Sequence, residues 1–452
     1  MNASRLRIVV LCPHFRPDTA PTGAVMTRIV EELAVLGHEI YVTTSLPWYR
    51  GHAVEPGWGG RWVQRQETEW GSITRINPFA GTDKRNIARR AAGFAAFGAL
   101  AGATSLRGGR VDAVIAMSPP LTMGLTGWVT HLVRRGPLIF NIQDVFPDAA
   151  VRTGAITNKR LIGAAERLER ISYERAAAVT VLSDDLRDNV AAKVRPDKRA
   201  DVRVIPNFVD TEFIRPQDRM TALRRELGIG TEVVVLYAGN VGFSQSLEMV
   251  IDTARSLPSV TFLINGDGAA RTDLEQRAAG LTNVRFSGYQ PAQRLPEVLA
   301  TGDIHLVPLK AGLGAVSVPS KTYSTLAAGR PVLAAIDPGT EIPRILDAAH
   351  AGISVAPDDP SAFRAALQQL IDDTAGRQAM DDQQGSRRGD RHEESDDRRI
   401  VDAARRIEGD QGERRRPAAR IRQPAADELA QQRRERLGQH ASEQPAQNAQ
   451  AR

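Results

Sequence analysis

A glycine-rich turn between an apolar run and a helical pattern is the feature that most constrains this chain. Residues 233–238 are apolar and rich in valine, Gly-Asn-Val-Gly follows at 239–242, and helical periodicity begins at Leu247. Such a turn directs backbone N–H groups towards a helix N-terminus, where phosphate or another anion binds. The pattern predicts an α/β unit with an anion site at its first strand-to-helix turn.

A second unit of this kind opens the chain. Residues 7–11 are apolar, a proline-containing loop follows at 14–22, Gly23 opens an amphipathic helix, and 39–44 form the next strand. A strand–helix–strand unit builds a parallel sheet with helices on both faces. Further strands are predicted at 111–117, 138–143, 177–182 and 202–205.

Three regions follow from these patterns. We predict a first Rossmann-like, doubly wound domain at 1–208, a second at 209–376, and a charged low-complexity tail at 377–452. The tail consists mainly of Arg, Gln, Asp, Glu, Ala and Gly, and the last aromatic residue of the chain is Phe363. Such a composition buries too little apolar surface to fold, which predicts disorder or a shifted reading frame.

The net charge indicates which partners the protein binds, and the cysteine content indicates the redox state of its cellular compartment. A formal net charge of +6 over 452 residues favours an anionic partner. Acidic residues are interleaved with the arginines of the tail, so we expect no nucleic acid partner. The single cysteine, Cys12, excludes an internal disulfide and fits a reducing compartment such as the cytoplasm.

The segment 84–106 has two interpretations. Lys84, Arg85, Arg89 and Arg90 precede a stretch of Ala, Gly, Phe and Leu. A helix of this kind is typical of a surface element lying on an anionic leaflet. The alternative is a core-packing helix with a solvated basic start.

Several motifs, taken in order, resemble those of the family-4 retaining glycosyltransferases, which have the GT-B fold of two Rossmann-like domains facing a cleft. The closest likeness is to bacterial transferases of O-antigen, capsule and colanic acid assembly. The motifs are Pro-Thr-Gly-Ala at 21–24, Gly-His-Glu-Ile at 37–40, Ser-Pro-Pro at 118–120, Gln-Asp-Val-Phe-Pro-Asp at 143–148, Val-Ile-Pro-Asn-Phe-Val-Asp at 204–210, Tyr-Ala-Gly-Asn-Val-Gly at 237–242, Val-Pro-Ser-Lys at 318–321 and Leu-Ala-Ala-Gly-Arg-Pro-Val at 326–332.

This resemblance implies a metal-independent enzyme without a cofactor. Its donor is a UDP- or GDP-sugar, and its acceptor is lipid-linked or a glycan. It works in the cytoplasm, either free or peripheral on the inner face of the plasma membrane. Helix N-termini and cationic side chains stabilise the charge of the leaving diphosphate in place of a metal.

The resemblance also suggests donor-binding residues. Gly23 approaches the diphosphate from the first domain, and Gly239, Asn240 and Gly242 approach it from the second. Ser320 and Lys321 are also assigned to donor binding. Lys321 is the candidate cation with a catalytic role, and its alternative is an exposed helix lysine. Arg330 is a second candidate cation whose alternative is a helix cap.

Three further residues are assigned to the reacting sugar and the acceptor, each with a structural alternative. Asp144 ends a predicted buried strand and either contacts the sugar or caps a turn. Asp148 is either an acceptor-side base or a cap. His14 either contacts the acceptor or is a solvated loop residue.

The chain departs from the family pattern at two places. Many members have paired glutamates before the Ala-x-Gly-x-Pro-Val turn, whereas this chain has Ser324 there. Ser324 is assigned a weak hydrogen bond to a ribose hydroxyl of the donor, and Glu341 is the candidate for part of that ribose contact. Residues 243–245, Phe-Ser-Gln, replace an Arg and a Lys. Two alternatives therefore stay open: a nucleotide-sugar 2-epimerase on the same fold, and a transferase that has lost activity. A Rossmann dehydrogenase is disfavoured because neither turn completes G-x-G-x-x-G.

Overall fold

A computed structural model describes residues 5–50, 53–79, 87–374 and 377. The predicted tail therefore lies outside the described residues, apart from Arg377. So do Lys84 and Arg85 of the basic segment. Within the described residues, no helix combines the length and hydropathy needed to cross a bilayer.

The first domain is built on a sheet that has eight strands within the described residues, in the order β3-β4-β2-β1-β5-β6-β7-β8. All neighbouring strands are parallel except β3 and β4. The strands are β1 (Arg7–Leu11), β2 (Glu39–Ser45), β3 (Val63–Thr68), β4 (Gly71–Ile76), β5 (Ala113–Ser118), β6 (Leu138–Ile142), β7 (Ala178–Val181) and β8 (Val202–Val204). The helices are α1 (Pro21–Val35), α2 (Ile87–Ser105), α3 (Thr122–Arg134), α4 (Asp148–Arg152), α5 (Lys159–Arg175), α6 (Asp184–Lys193) and the 3₁₀ helix η1 (Pro196–Asp201).

The second domain is built on a parallel sheet, with six strands in the described part of the chain, in the order β11-β10-β9-β12-β13-β14. The strands are β9 (Val234–Ala238), β10 (Thr261–Asn265), β11 (Val284–Ser287), β12 (Ile304–Pro308), β13 (Val332–Ala335) and β14 (Gly352–Val355). The helices are α7 (Ala222–Glu226), α8 (Leu247–Ser256), α9 (Arg271–Arg277), the 3₁₀ helix η2 (Ala292–Arg294), α10 (Leu295–Thr301), α11 (Lys321–Ala327), α12 (Glu341–Ala349) and α13 (Pro360–Asp372).

The first sheet is covered on both faces, as its apolar strands require. Along β1, Val9 and Leu11 join the core that contains Phe97 of α2, whereas Ile8 and Val10 join the core that contains Met26 of α1. Because alternate residues of a strand point to opposite faces, α1 and α2 lie on opposite sides of the sheet. The prediction of two parallel α/β sheets is confirmed.

Three strands and the region between the domains were not foreseen. β3, β4 and the four-residue strand β14 were not predicted. β3 is a mostly exposed edge strand with the polar sequence VQRQET, which has no apolar pattern. The first sheet ends at Val204, and α7 already packs against α10 of the second domain. The boundary at 208/209 stays a prediction between these two points.

A buried ion pair ties α7 to the second sheet. Arg224 is fully buried, and its Nη2 lies 2.5 Å from Oδ2 of Asp303. The same oxygen accepts a hydrogen bond from the backbone N–H of Val234 at 2.7 Å. Without Arg224, Asp303 keeps, among the described residues, only the ion pair with the partly exposed Arg219. The carbonyls of Thr301 and Gly230 then lose their donor.

We therefore expect Arg224→Ala to lower the free energy of unfolding by about 3–5 kcal/mol. The matched control is Arg277→Ala, which breaks the exposed pair with Asp252 and is expected to cost about 1 kcal/mol or less. Urea denaturation of both variants measures the difference. Equal losses would show that the Arg224 pair does not hold α7.

Candidate active site

A lysine of the second domain lies on the face of a buried tyrosine. The Nζ of Lys321 is 3.7 Å from the ring centroid of Tyr237, a cation–π contact. Burial lowers the pKa of Lys321 to about 7. Among the described residues, its ammonium has no carboxylate partner. Lys321 is therefore positioned to pair with an anion that comes from outside the chain.

Gly239 leaves space for this lysine at the end of β9. Gly239 has a φ of +142°, and a β-carbon there would be 3.3 Å from Nζ of Lys321. The neighbouring turn approaches more closely still, because a β-carbon on Gly266 would be 1.9 Å from the Gly239 carbonyl oxygen. Glycine at these positions thus brings two backbone turns and the lysine together.

The glycine-rich turn is partly closed on itself. The hydroxyl of Tyr237 donates to the carbonyl of Asn240 at 2.5 Å. The N–H of Gly242 donates to Oε1 of Gln245 at 3.0 Å, and α8 begins only at Leu247. The N–H of Gly239 donates to the carbonyl of Asn265 at 2.9 Å. The expectation of bare N–H groups is therefore wrong at Gly239 and Gly242, although the predicted order of strand, turn and helix holds.

Gly23 lies in the first turn of α1 and is packed against the first loop. A β-carbon on Gly23 would be 2.9 Å from Cβ of His14. The helix begins at Pro21, and no side chain caps its start. Its first backbone N–H groups therefore lack partners within the helix, as an anion site requires.

His14 is not a solvated loop residue. Its Nδ1 lies 2.6 Å from Oδ2 of Asp18, whose side chain is fully buried. The imidazole stacks on Trp48 at 5.5 Å and meets Tyr49 edge-on at 5.5 Å. Asp18 also accepts a hydrogen bond from the backbone N–H of Tyr49 at 3.2 Å. The alternative of a solvated histidine is wrong.

Asp144 joins the two domains. Oγ of Ser317 donates to Oδ1 of Asp144 at 2.5 Å, and the N–H of Val145 donates to the carbonyl of Val316 at 2.8 Å. Burial raises the pKa of Asp144, and the Ser317 hydrogen bond opposes that rise. The carboxyl group thus lies where the domains meet.

Tyrosines connect the Asp144 region to the lysine region. Burial raises the pKa of Tyr49, and the negative charges of Asp18 and Asp144 add to that rise. The pKa of Tyr237 is also raised, first by burial and then by its interaction with Tyr289 and Tyr49. Tyr49 therefore lies within electrostatic range of Asp144 and of Tyr237, the tyrosine whose ring contacts Lys321.

Two of the predicted acidic residues are paired with cations. Asp148 accepts a hydrogen bond from Nζ of Lys193 at 2.7 Å, so it belongs to an ion pair with α6. Glu341 lies 3.1 Å from Nη2 of Arg344, which also lies 2.7 Å from Oδ2 of Asp185 in the first domain. Asp148 thus helps to bind α4 to α6, whereas Glu341 pairs within α12 with an arginine that also contacts the first domain.

The remaining candidates lie on or beside α11. Ser320 occupies the N-cap position without a side-chain hydrogen bond to the helix, and Ser324 lies within it. Arg330 is buried and donates to the backbone carbonyls of Gln217 at 2.7 Å and Ala300 at 3.2 Å. Arg330 therefore has a structural role, and Lys321 is the stronger candidate for a diphosphate contact.

Sequence reasoning missed Arg75. Its side chain is buried at the end of β4, with the guanidinium 5.0 Å from the Trp58 ring and Nη2 2.6 Å from the Arg16 carbonyl oxygen. Nε and Nη1 have no hydrogen-bond partner among the described residues. Burial lowers the pKa of Arg75 to about 10. The only available signal was a basic residue near the end of an otherwise uncharged strand.

Comparisons with known proteins identify the family. A family model described as "Glycosyl transferase 4-like domain" matches residues 22–207, and one described as "Glycosyl transferases group 1" matches residues 232–373. Together they cover most of both domains. The chain belongs to the family-4-like glycosyltransferases.

Relatives and solved structures agree with this placement. WcaI of Escherichia coli (strain K12), named as a colanic acid biosynthesis glycosyl transferase, is 26% identical over 81% of this chain and 92% of its own. WbjE of Pseudomonas aeruginosa, named as a glycosyltransferase, is 28% identical over 59% of this chain and 67% of its own.

The fold matches solved structures of low sequence identity. Sucrose-phosphate synthase of Thermosynechococcus elongatus has a TM-score of 0.64 at 16% identity, covering 85% of this chain and 94% of that one. HepE of Anabaena, solved with UDP-glucose, has a TM-score of 0.60 at 15% identity, covering 84% and 94%. The expected GT-B fold is confirmed.

Proposed function

We propose that this glycosyltransferase moves a sugar, with retention of configuration, from a UDP- or GDP-sugar to a lipid-linked or glycan acceptor in cell-surface polysaccharide or glycolipid assembly. It does so without a metal ion or cofactor, in the cytoplasm or at the inner face of the plasma membrane. The Lys321 ammonium, partly buried on Tyr237 beside Gly239, carries the proposal. A cation in that place is suited to a diphosphate.

The donor binds between the two domains. Lys321 pairs with the diphosphate, the turn that contains Gly239 and Asn240 approaches it from the same domain, and Gly23 approaches from the start of α1. Binding restores a partner to a cation that burial otherwise disfavours. The same pairing strengthens as the leaving diphosphate gains charge, which lowers the barrier to transfer.

Transfer follows a front-face route. The bond from the anomeric carbon to the leaving phosphate oxygen breaks, and the bond to the acceptor oxygen forms on the same face of the sugar. The acceptor's proton passes to the leaving phosphate oxygen. Asp144, held by Ser317, contacts the sugar, and His14, oriented by Asp18, contacts the acceptor.

The two alternatives are less well supported. The 2-epimerase is not favoured, because the family models and both relatives are named for glycosyl transfer. A transferase that has lost activity would bind a nucleotide without turnover, so the assay of transfer separates it from the proposal.

We expect transfer of labelled sugar from one UDP- or GDP-sugar series to a bacterial lipid extract, with the donor's anomeric configuration kept in the product. NMR of the purified product reads the configuration, and addition of EDTA is expected to leave the rate unchanged. An inverted product would refute retention. Nucleotide binding without transfer from any common donor would support the inactive alternative.

Lys321→Met keeps the length of the side chain and removes its charge. We expect the Kd for the preferred nucleoside diphosphate to rise at least about tenfold, because a charge-assisted hydrogen bond is worth roughly 1.5–3 kcal/mol. Isothermal titration calorimetry with UDP and GDP measures it. The control Lys159→Met removes an exposed lysine at the start of α5 and should leave Kd unchanged. Unchanged binding by Lys321→Met would exclude this lysine from the donor site.

Donor binding should also weaken above neutral pH. The pKa of Lys321 in the free protein is about 7, whereas a bound diphosphate favours the ammonium and raises that pKa. Between pH 7 and 9 the terminal phosphate of the nucleotide is already ionised, since the second pKa of a phosphate monoester is about 6. Kd should therefore rise by up to about tenfold per pH unit there. Lys321→Met should show no such rise, and an equal rise in the variant would assign it to another group.

A further inference from the structure

An apolar stripe runs along the outer face of α3. Val129, Leu132 and Val133 are 41%, 56% and 53% exposed, and Leu125 and Trp128 continue the stripe at helical spacing. The opposite face of α3 packs on the sheet through residues such as Met123. Scattered exposed apolar residues are ordinary, but a continuous helical stripe of them is typical of an interaction surface.

The neighbouring helix α2 extends this surface. Residues 91–106 contain no charged side chain. Its outer positions are alanines, with Ala95, Ala99 and Ala103 exposed, whereas Phe97 lies in the core. Within the described residues, one side of α2 packs on the core, as the core-packing interpretation expects, and the other side faces outwards.

The two helices lie side by side, so their outer faces are continuous. Oγ1 of Thr126 in α3 donates to the carbonyl of Gly98 in α2 at 3.0 Å. The hydroxyls of Ser105 and Thr130 lie 2.7 Å apart. α2 is about 28 Å long, since a helix rises about 1.5 Å per residue. We call the outer surface of α2 and α3 the α2–α3 face.

The charges around the α2–α3 face are largely positive. Neither helix contains an acidic residue. Arg89 is exposed at the start of α2, and Arg107 and Arg135 are exposed where the two helices end. Arg175 of α5 lies over the Trp128 ring at 4.8 Å. The acidic groups nearby are Asp112 and, on α5, Glu166 and Glu174.

An exposed tryptophan lies at the end of the α2–α3 face that is nearer the cleft. Trp62 is 68% exposed and meets Phe79 edge-on at 5.5 Å. A β-carbon on Gly93 of α2 would be 2.8 Å from the Phe79 carbonyl oxygen, so Trp62 lies close to the start of α2. Tryptophan is enriched at membrane–water interfaces.

We propose that the α2–α3 face docks the protein on an anionic lipid bilayer. The exposed valines, leucine and tryptophan enter the interfacial layer, and the arginines contact lipid phosphates. Only the link between this docking and a lipid-linked acceptor rests on the proposed function. The docking surface itself is argued from exposure and charge.

The position of the face suits a lipid-linked acceptor. α2 starts at the sheet edge where β4 ends, and β4 is parallel to β2, β1, β5 and β6. The carboxyl end of β6 precedes Asp144, so the start of α2 and the reacting region share one edge of the sheet. A bilayer on the α2–α3 face therefore borders the acceptor side of the cleft.

A second copy of the chain fits this face less well. A two-fold dimer would place the same patch on itself, so the arginines at its rim would face arginines without acidic partners on either helix. An anionic bilayer instead offers negative charge all around the apolar stripe. Charge complementarity therefore favours lipid.

The test is flotation of the full chain with vesicles of phosphatidylcholine alone and with added phosphatidylglycerol, at low and high salt. Leu132→Gln with Val133→Gln removes the most exposed part of the stripe. We expect its partition onto anionic vesicles at high salt to fall about tenfold or more. The control is Val35→Gln with Leu36→Gln, at positions 53% and 50% exposed at the end of α1, on the opposite side of the sheet. It should bind like the wild type.

The readouts separate docking from its alternatives. The arginine-rich tail is present in every variant, and its electrostatic binding weakens at high salt, so it does not produce a difference between the two double variants. Equal vesicle binding by both would overturn the proposal. So would a dimeric wild type that the Leu132/Val133 variant converts to monomer. Nucleotide binding by each variant is measured alongside, so that a failed docking test stays distinct from a failed donor site.

Discussion

The contact between Lys321 and Tyr237 is the constraint on which the proposed donor site depends. Burial disfavours a charged ammonium, and the tyrosine ring offsets only part of that cost. The space beside it exists because Gly239 has no β-carbon, and Gly239 is in turn packed against Gly266. A cation kept without a carboxylate partner in this way is pre-organised for an anionic ligand rather than for the stability of the domain.

The second constraint is the joint between the domains at Asp144. Backbone and side-chain hydrogen bonds pair Asp144 and Val145 with Val316 and Ser317. The loop of the second domain that contains Val316 and Ser317 is also fixed within its own domain. There Asp337 accepts hydrogen bonds from the N–H groups of Gly312 and Gly314 at 2.8 Å. The position of the Asp144 carboxyl therefore depends on both domains.

Much of the fold could be predicted from sequence, because buried parallel strands are short apolar runs that alternate with helical periodicity. The edge strand β3 escaped prediction, since its exposed residues follow no apolar pattern. The site was predictable only as separate residues. Motif positions indicated Lys321 and Asp144, but their contacts with Tyr237 and Ser317 join residues far apart in the chain. Asp148 and Arg330 show the same limit, because their partners, Lys193 and backbone carbonyls, are set by packing.

The hydrogen bond from Gly242 to Gln245 has a consequence for selectivity. The amide oxygen of Gln245 occupies one backbone donor of the glycine-rich turn, the N–H of Gly242, and so competes there with any incoming oxygen ligand. A ligand with a single weak acceptor gains little by displacing it, since one neutral hydrogen bond replaces another. A diphosphate, which also reaches the lysine, gains a charge-assisted bond in the exchange. Within the proposed donor site, displacing Gln245 from Gly242 is therefore favourable only for a ligand that also reaches Lys321.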